Sequence, residues 1–233
     1  MQVDLLVPVK SLARAKTRLR GIADGGAGNP EAHARLVVAL IRDTLAAAAG
    51  AAAVRRAVVI CSDEAVCHVL ATDGVAAIGD EPAGLNPALR YGEAVLRGAD
   101  PSTTVGALPA DLPALRPAEL DCAVRAALAT GGRVFCTDRT GTGTTLLLAP
   151  PRQPLQPCFG PGSAAAHRAT GARELAGHWP GLRCDVDTAA DLAVARRLGL
   201  GRFTRAVLGS EISHPGTTGD PPATEQWPGE HAR

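Results

Sequence analysis

Aromatic residues are scarce: they make up 3% of the 233 positions. Platforms that stack the bases of single-stranded nucleic acid need interleaved aromatics, and this composition excludes them. Charge of one sign is also lacking. The formal net charge is +1, so bulk electrostatics point to neither a nucleic acid nor a membrane surface as partner. No apolar run approaches the roughly twenty residues that span a bilayer. The longest, residues 45–54, is mostly alanine and is broken by Gly50. Asp4 and Pro8 interrupt the first apolar run, so no charged-then-apolar leader is visible and a cytoplasmic location is expected. The six cysteines, at 61, 67, 122, 136, 158 and 184, form no Cys-x-x-Cys pair, and no histidines stand in His-x-x-x-His spacing. A zinc site is not expected, and the thiols read as small core side chains in a reducing compartment.

Lysine is scarcer still. Only two of the 24 Lys and Arg residues are lysines, Lys10 and Lys16, and both lie in LLVPVKSLARAKTRL, residues 5–19. Lysine is a compact ammonium on a flexible stem and arginine a flat fork, so the two are not interchangeable at a phosphate site. Val3 to Val9 reads as a buried strand ended by Pro8. Lys10, Arg14, Lys16, Arg18 and Arg20 follow with no acid among them. A cationic loop leaving a first strand is where an open α/β sheet binds a nucleotide. The same spacing also suits a solvated basic turn with Leu12 and Leu19 packing inward.

Further along, strands and helices alternate. Asn29-Pro30-Glu31 starts a helix that runs to about Ala49 and stops at Gly50. Strands are expected at 57–61, 75–78, 103–108, 133–136, 145–148 and 182–186. Helices are expected at 62–72, 88–98, 117–130, 164–175 and 189–198. The alternation predicts a single α/β domain over residues 1–209, with a mostly parallel central sheet covered on both faces. From Ser210 to the end the chain is rich in Pro, Gly and Thr with no apolar period, and it reads as a disordered tail.

Several stretches could carry chemistry. Asp111 stands where a strand ends between prolines, and Asp185 and Asp187 where another ends. In a parallel sheet both ends open on one edge, and alternation puts Asp185 and Asp187 on one face. Three converging carboxylates suit magnesium. Alternatively, Asp111 caps a turn and Asp187 helps cap the helix after Thr188. In Gly160-Pro161-Gly162-Ser163, Ser163 reads as an N-cap whose neighbouring amides form an anion pocket. Gly141-Thr142-Gly143-Thr144 offers flexible backbone and hydroxyls, or simply a hairpin turn. Asn86, in Gly84-Leu85-Asn86, could read a base edge or cap a helix.

VPVKSLARAKTRL, GLNPAL, ADLPAL, DRTGTGTTLL, FGPGSAAAHR and GLRCDVDTAADL, in this order, resemble the guanylyltransferases of coenzyme F-420 biosynthesis. This is the 2-phospho-L-lactate guanylyltransferase family, and the resemblance, over about residues 3–200, is strongest to its phosphoenolpyruvate branch. It implies a nucleotide-diphospho-sugar transferase (Rossmann-like) fold and transfer of GMP from GTP to phosphoenolpyruvate, with Mg2+ as cofactor and pyrophosphate released. 2-Phospho-L-lactate and 3-phospho-D-glycerate are the alternative acceptors, and a non-catalytic nucleotide-binding protein the remote one. It implies that Thr144, Gly160 and Ser163 contact phosphoenolpyruvate, and that Lys10 and Lys16 belong to the nucleotide-phosphate loop, which Arg18 follows. Asp111, Asp185 and Asp187 would occupy the acidic metal positions, and Lys10, Lys16 and Asp111 would be catalytic. Two positions depart from the family pattern: Ala110 replaces a glycine before Asp111, and the loop PPRQPLQP holds one extra residue. Oligomeric state is not legible, and a homodimer stays among the options.

Overall fold

The computed structural model describes residues 2–9, 16–79 and 84–209. Lys10, Arg14 and the segment from Ser210 onward lie outside the described residues. Among the described residues seven strands form one sheet in the order β3-β2-β1-β4-β6-β5-β7. They are β1 (Val3–Pro8), β2 (Val54–Ile60), β3 (Ala76–Ile78), β4 (Thr104–Ala107), β5 (Val134–Thr137), β6 (Thr144–Ala149) and β7 (Arg173–Glu174). β1 pairs in parallel with β2 and β4, and β5 with β7, whereas β6 runs antiparallel to both β4 and β5. Six strands therefore end on one edge, where β6 begins.

Helices cover both faces, as alternating burial along β1 requires. Leu5 and Val7 pack with α1 (Pro30–Ala49), α2 (Glu64–Thr72) and α4 (Pro117–Thr130). Leu6 faces the other way, toward α3 (Leu85–Ala99) and α5 (Ser163–Ala169). A third cluster joins the back of α1, through Leu36 and Leu40, to α6 (Ala189–Leu198) and α7 (Arg202–Gly209). α7, which the sequence pattern did not announce, is capped from α1: both Asp43 carboxylate oxygens accept N–H groups, from Phe203 at 2.9 Å and Thr204 at 2.8 Å.

Several expected boundaries move, β2 among them, which begins at Val54 instead of residue 57. Residues 182–186 are not a strand: Arg183 N–H turns back to Trp179 C=O at 3.1 Å, and Val186 N–H crosses to Asp111 C=O at 3.0 Å. The helix expected to reach residue 175 ends at Ala169, because Gly171, at φ +84°, turns the chain into β7. α2 is capped by Asp63 rather than Ser62. α3 begins at Leu85, so Asn86 lies in its first turn.

The sheet centre tolerates no extra volume. A Cβ at Gly106, in β4, would stand 2.4 Å from Leu148 Cδ2 and 2.7 Å from Leu5 Cδ2. Gly106→Ala should therefore destabilise the fold by about 1–3 kcal/mol, read as a lower urea midpoint at unchanged slope. An unchanged midpoint would mean that these leucines repack freely.

Candidate active site

Where β1 and β4 end, the sheet opens on a cavity of about 240 Å3. Pro8, Val9, Leu40, Asp111, Phe159 and Asp187 line it, with Lys16 among them. Lys16 has φ +53° and ψ +39°, a left-handed conformation that disfavours residues other than glycine. From there its side chain, 15% exposed, donates to Asp111 Oδ2 and to Asp187 Oδ1. Burial alone would lower the ammonium's pKa, but the two carboxylates outweigh it and raise it above the usual lysine range.

The loop of Asp111 is fixed from three sides. Thr44, buried in α1, accepts Leu112 N–H at 2.9 Å and donates to Leu40 C=O at 3.0 Å. Gly201 N–H reaches Pro113 C=O at 2.7 Å, and Val186 N–H takes the carbonyl of Asp111 itself. Asp111 and Asp187 thus converge although 182–186 is not a strand. The same irregular segment keeps an alternation, with Cys184 and Val186 buried and Asp187 outward. The helix after Thr188 is capped by Thr188 and Asp191 reciprocally, which leaves Asp187 for the cavity.

Asp185 belongs to this acidic neighbourhood. Burial, followed by the charges of Asp111, Asp187 and Asp138, pushes its carboxyl up to about 7, and Lys16 opposes them. One ammonium does not balance so many acids. Asp111 Oδ1 is also buried, with no hydrogen-bond partner among the described residues. Hard carboxylate oxygens with an orphaned lone pair suit a divalent cation, which commonly takes one or two carboxylates plus ligand phosphates. Among the described residues no three acidic, His or Cys side chains stand as a ready metal cage; Asp111 and Asp187 hold Lys16 Nζ instead.

Beside the cavity, the β5–β6 turn and the start of α5 meet. Asp138 closes that turn by accepting Thr142 N–H at 3.0 Å, so residues 138–143 are a hairpin. Ser163 is not the N-cap expected of it. Gly162, at φ +72°, takes that place, and Ser163 is buried with its hydroxyl on Thr144 Oγ1 at 3.1 Å. Two amides assigned to an anion pocket are used internally, Ser163 N–H by Gly160 C=O and Ala164 N–H by Thr142 C=O, each at 3.1 Å. The hydroxyls of Thr144 and Ser163 are buried and bonded to each other, and neither residue is among those that line the cavity. Asn86 is also occupied: its Nδ2 donates to Phe159 C=O at 3.0 Å and its Oδ1 accepts Phe159 N–H at 2.8 Å. It anchors the loop that carries Gly160 instead of presenting its amide to a base. Arg18 lies exposed in the turn at Thr17–Leu19.

Sequence reading missed His167. It is fully buried, 2.9 Å from Thr144 Oγ1 through Nδ1 and 2.9 Å from Cys158 N through Nε2. A backbone N–H can only donate, so Nε2 accepts and the ring proton sits on Nδ1. A histidine facing a Thr and a backbone amide has no periodic signature in sequence.

The chain also matches known proteins. Residues 3–175 match the family described as guanylyl transferase CofC like. The phosphoenolpyruvate guanylyltransferase of Geodermatophilus obscurus is 48% identical over 207 residues, covering 88% of this chain and 94% of the relative. That of Streptomyces avermitilis is 46% identical over 222 residues, covering 94% and 100%. A protein of Desulfovibrio desulfuricans G20 assigned to the nucleotide-diphospho-sugar transferases superposes with TM-score 0.63 at 17% identity, covering 91% and 96%. Rv0371c of Mycobacterium tuberculosis, solved as a complex with manganese, superposes with TM-score 0.52 at 21% identity, covering 85% and 98%. The fold is the nucleotide-diphospho-sugar transferase fold.

Burial first, and the charge of Arg133 second, hold the His167 imidazole down at about 4. As pH falls from about 6.5 toward about 4, the unfolded chain gains a proton that the folded chain refuses, and stability is lost. The stability advantage of wild type over His167→Gln should shrink by up to about 3 kcal/mol between about pH 7 and about pH 4. Urea titrations at the two pH values check this; a constant difference would mean that the ring is charged when folded.

Proposed function

Because the chain belongs to the family of CofC-like guanylyl transferases, we propose that it joins phosphoenolpyruvate to the GMP moiety of GTP. The products are enolpyruvoyl-diphospho-5'-guanosine, which enters coenzyme F-420 biosynthesis, and pyrophosphate. The observation that carries the reading is the convergence of Lys16, Asp111 and Asp187 on a cavity that Phe159, the neighbour of Gly160, also lines. Cation and acids supply a nucleotide-phosphate half, and the Thr144–Ser163 hydroxyls supply an acceptor half.

The chemistry needs little from the protein beyond position and charge. The acceptor's phosphate is anionic at neutral pH and requires no general base. One of its oxygens attacks the α-phosphorus of GTP; the bond from that phosphorus to the bridging oxygen breaks, and its electron pair leaves on pyrophosphate. Lys16, held among carboxylates in the resting site, exchanges a carboxylate for phosphate oxygens and offsets the charge gathering on the leaving group. Asp111 and Asp187, with Asp185 beside them, would hold magnesium, which when bound supplies Lewis-acid neutralisation of the nucleotide phosphates. The buried Asp111 oxygen with no hydrogen-bond partner among the described residues supports that assignment. Arg18, exposed two residues after Lys16, contributes long-range attraction for the triphosphate. Lys10 is assigned to the same phosphates on sequence grounds alone. The six free cysteines support a reducing, cytoplasmic setting, and no described helix is long and apolar enough to cross a membrane.

The acceptor is tested by mass spectrometry of the product formed from GTP, with and without magnesium, when phosphoenolpyruvate, 2-phospho-L-lactate and 3-phospho-D-glycerate compete. Guanylylated phosphoenolpyruvate should dominate and should require the metal; a dominant product from another acid would replace the acceptor. Lys16→Ala should lower kcat by about 100-fold or more while still unfolding cooperatively, at a midpoint lowered by the two carboxylates left without their shared cation. Wild-type turnover in that variant would remove Lys16 from the chemistry.

A further inference from the structure

Behind the acceptor half proposed above lies a buried hydrogen-bond relay through Thr144, Ser163 and His167. Thr144 is the first residue of β6 and Ser163 the first of α5. Both are buried, and Ser163 Oγ donates to Thr144 Oγ1 at 3.1 Å. His167, one turn further along α5, reaches the same Thr144 oxygen at 2.9 Å. Its other nitrogen accepts Cys158 N–H at 2.9 Å, so the ring proton lies on Nδ1 and points at Thr144. The ring is fixed between two aromatic partners: Phe159 edge-on at 5.0 Å between centroids, and Phe135 tilted at 5.9 Å. Thr144 Oγ1 therefore receives two donated hydrogens, from His167 and from Ser163. Both its lone pairs are used, and its own O–H must seek an acceptor elsewhere.

We propose that His167 is the positioning residue of the acceptor pocket. It sets Thr144 as an outward hydrogen-bond donor toward an anionic oxygen of the phosphorylated acid, and it tethers Cys158 so that the segment carrying Gly160 keeps its place. The inference rests on the reading that Thr144 and Ser163 face that acid. A neutral imidazole suits the task, because an imidazolium would lose the Nε2 acceptor and release Cys158. Burial among Phe135 and Phe159 favours the neutral form. Among the described residues Lys16, Asp111 and Asp187 share no hydrogen bond with His167, Thr144 or Ser163, so the effect should fall on one substrate.

The test separates donor geometry from mere folding. In His167→Asn the side-chain amide stands near the Nδ1 position and still donates to Thr144. In His167→Gln it reaches the Nε2 position, accepts Cys158 N–H and leaves Thr144 without its donor. His167→Gln should raise KM for the acid about tenfold, the worth of one hydrogen bond to a charged ligand, with KM for GTP unchanged. His167→Asn keeps the Thr144 donor and loses only the Cys158 tether, so it should raise KM for the acid by no more than about threefold, with KM for GTP unchanged. Ser163→Ala, assayed alongside, should also raise KM for the acid selectively. If Ser163→Ala is selective but His167→Gln keeps a wild-type KM for the acid, the relay is wrong while the pocket stands. If the two His167 variants raise both KM values alike, in step with a lower thermal midpoint, the residue is structural and the proposal falls. If Ser163→Ala raises neither or both, the pocket is misplaced and the relay falls with it.

Discussion

Everything around the cavity answers one electrostatic problem. Asp111 and Asp187 come from segments far apart in sequence, and their carboxylates are brought to the same ammonium. Two carboxylates within reach of one cation repel each other strongly unless that cation stays. The fold supplies it from the end of β1, on a backbone conformation few residues other than glycine adopt. It then stiffens the acids from behind, through Thr44 of α1, Gly201 before α7, and the backbone bond from Val186 to Asp111. α6 and α7 are held on α1 by the third apolar cluster and the Asp43 cap, which keeps Gly201 in reach of Pro113. Those backbone contacts hold the segment before Thr188 against the sheet edge, where it could not rest as an unpaired strand.

The reversed strand is the second organising feature. In a wholly parallel sheet every strand would bring its last residues to the functional edge. β6 runs the other way and brings its first, so Thr144 arrives at that edge paired with Thr137, the last residue of β5. The hairpin closed by Asp138 sets the entry to β6, and α5 is tied to that hairpin through Ala164 N–H and Thr142 C=O. The acceptor side is therefore built on a tight turn and a short helix braced by His167. The nucleotide side is built on strand ends and a cationic loop. Asn86 links them, since its amide grips Phe159 from the first turn of α3.

The sequence was most informative where local rules decide structure. The Asn29 cap, Pro30 at the first helical position and the stop at Gly50 gave α1 its bounds because capping acts within one turn. Motif order pointed to the family because six spaced segments constrain one another. The reading failed where tertiary contacts override local pattern. Leu182 to Val186 has the alternation of a strand but no neighbour to pair with, so it curls. Ser163 has the side chain of a cap, but Gly162 with positive φ takes the turn and frees the hydroxyl to go inward. Asn86 and His167 act through backbone atoms of residues 158–159, and backbone partners leave no trace in residue identity.

The near absence of lysine now has a physical meaning. Where positive charge only has to pair with acids at the surface, this chain uses arginine, as in Arg139 with Asp191 and Arg168 with Glu174. At Lys16 the cation must fit between two carboxylates with 15% of its side chain exposed, and must be able to leave one of them for a phosphate. A guanidinium fork grips one carboxylate with two parallel bonds and gives up both at once when it leaves. An ammonium has three independent donors and can exchange them singly. The site therefore calls for lysine where the rest of the chain makes do with arginine, and the resting ion pairs keep the group that phosphate would claim already at hand.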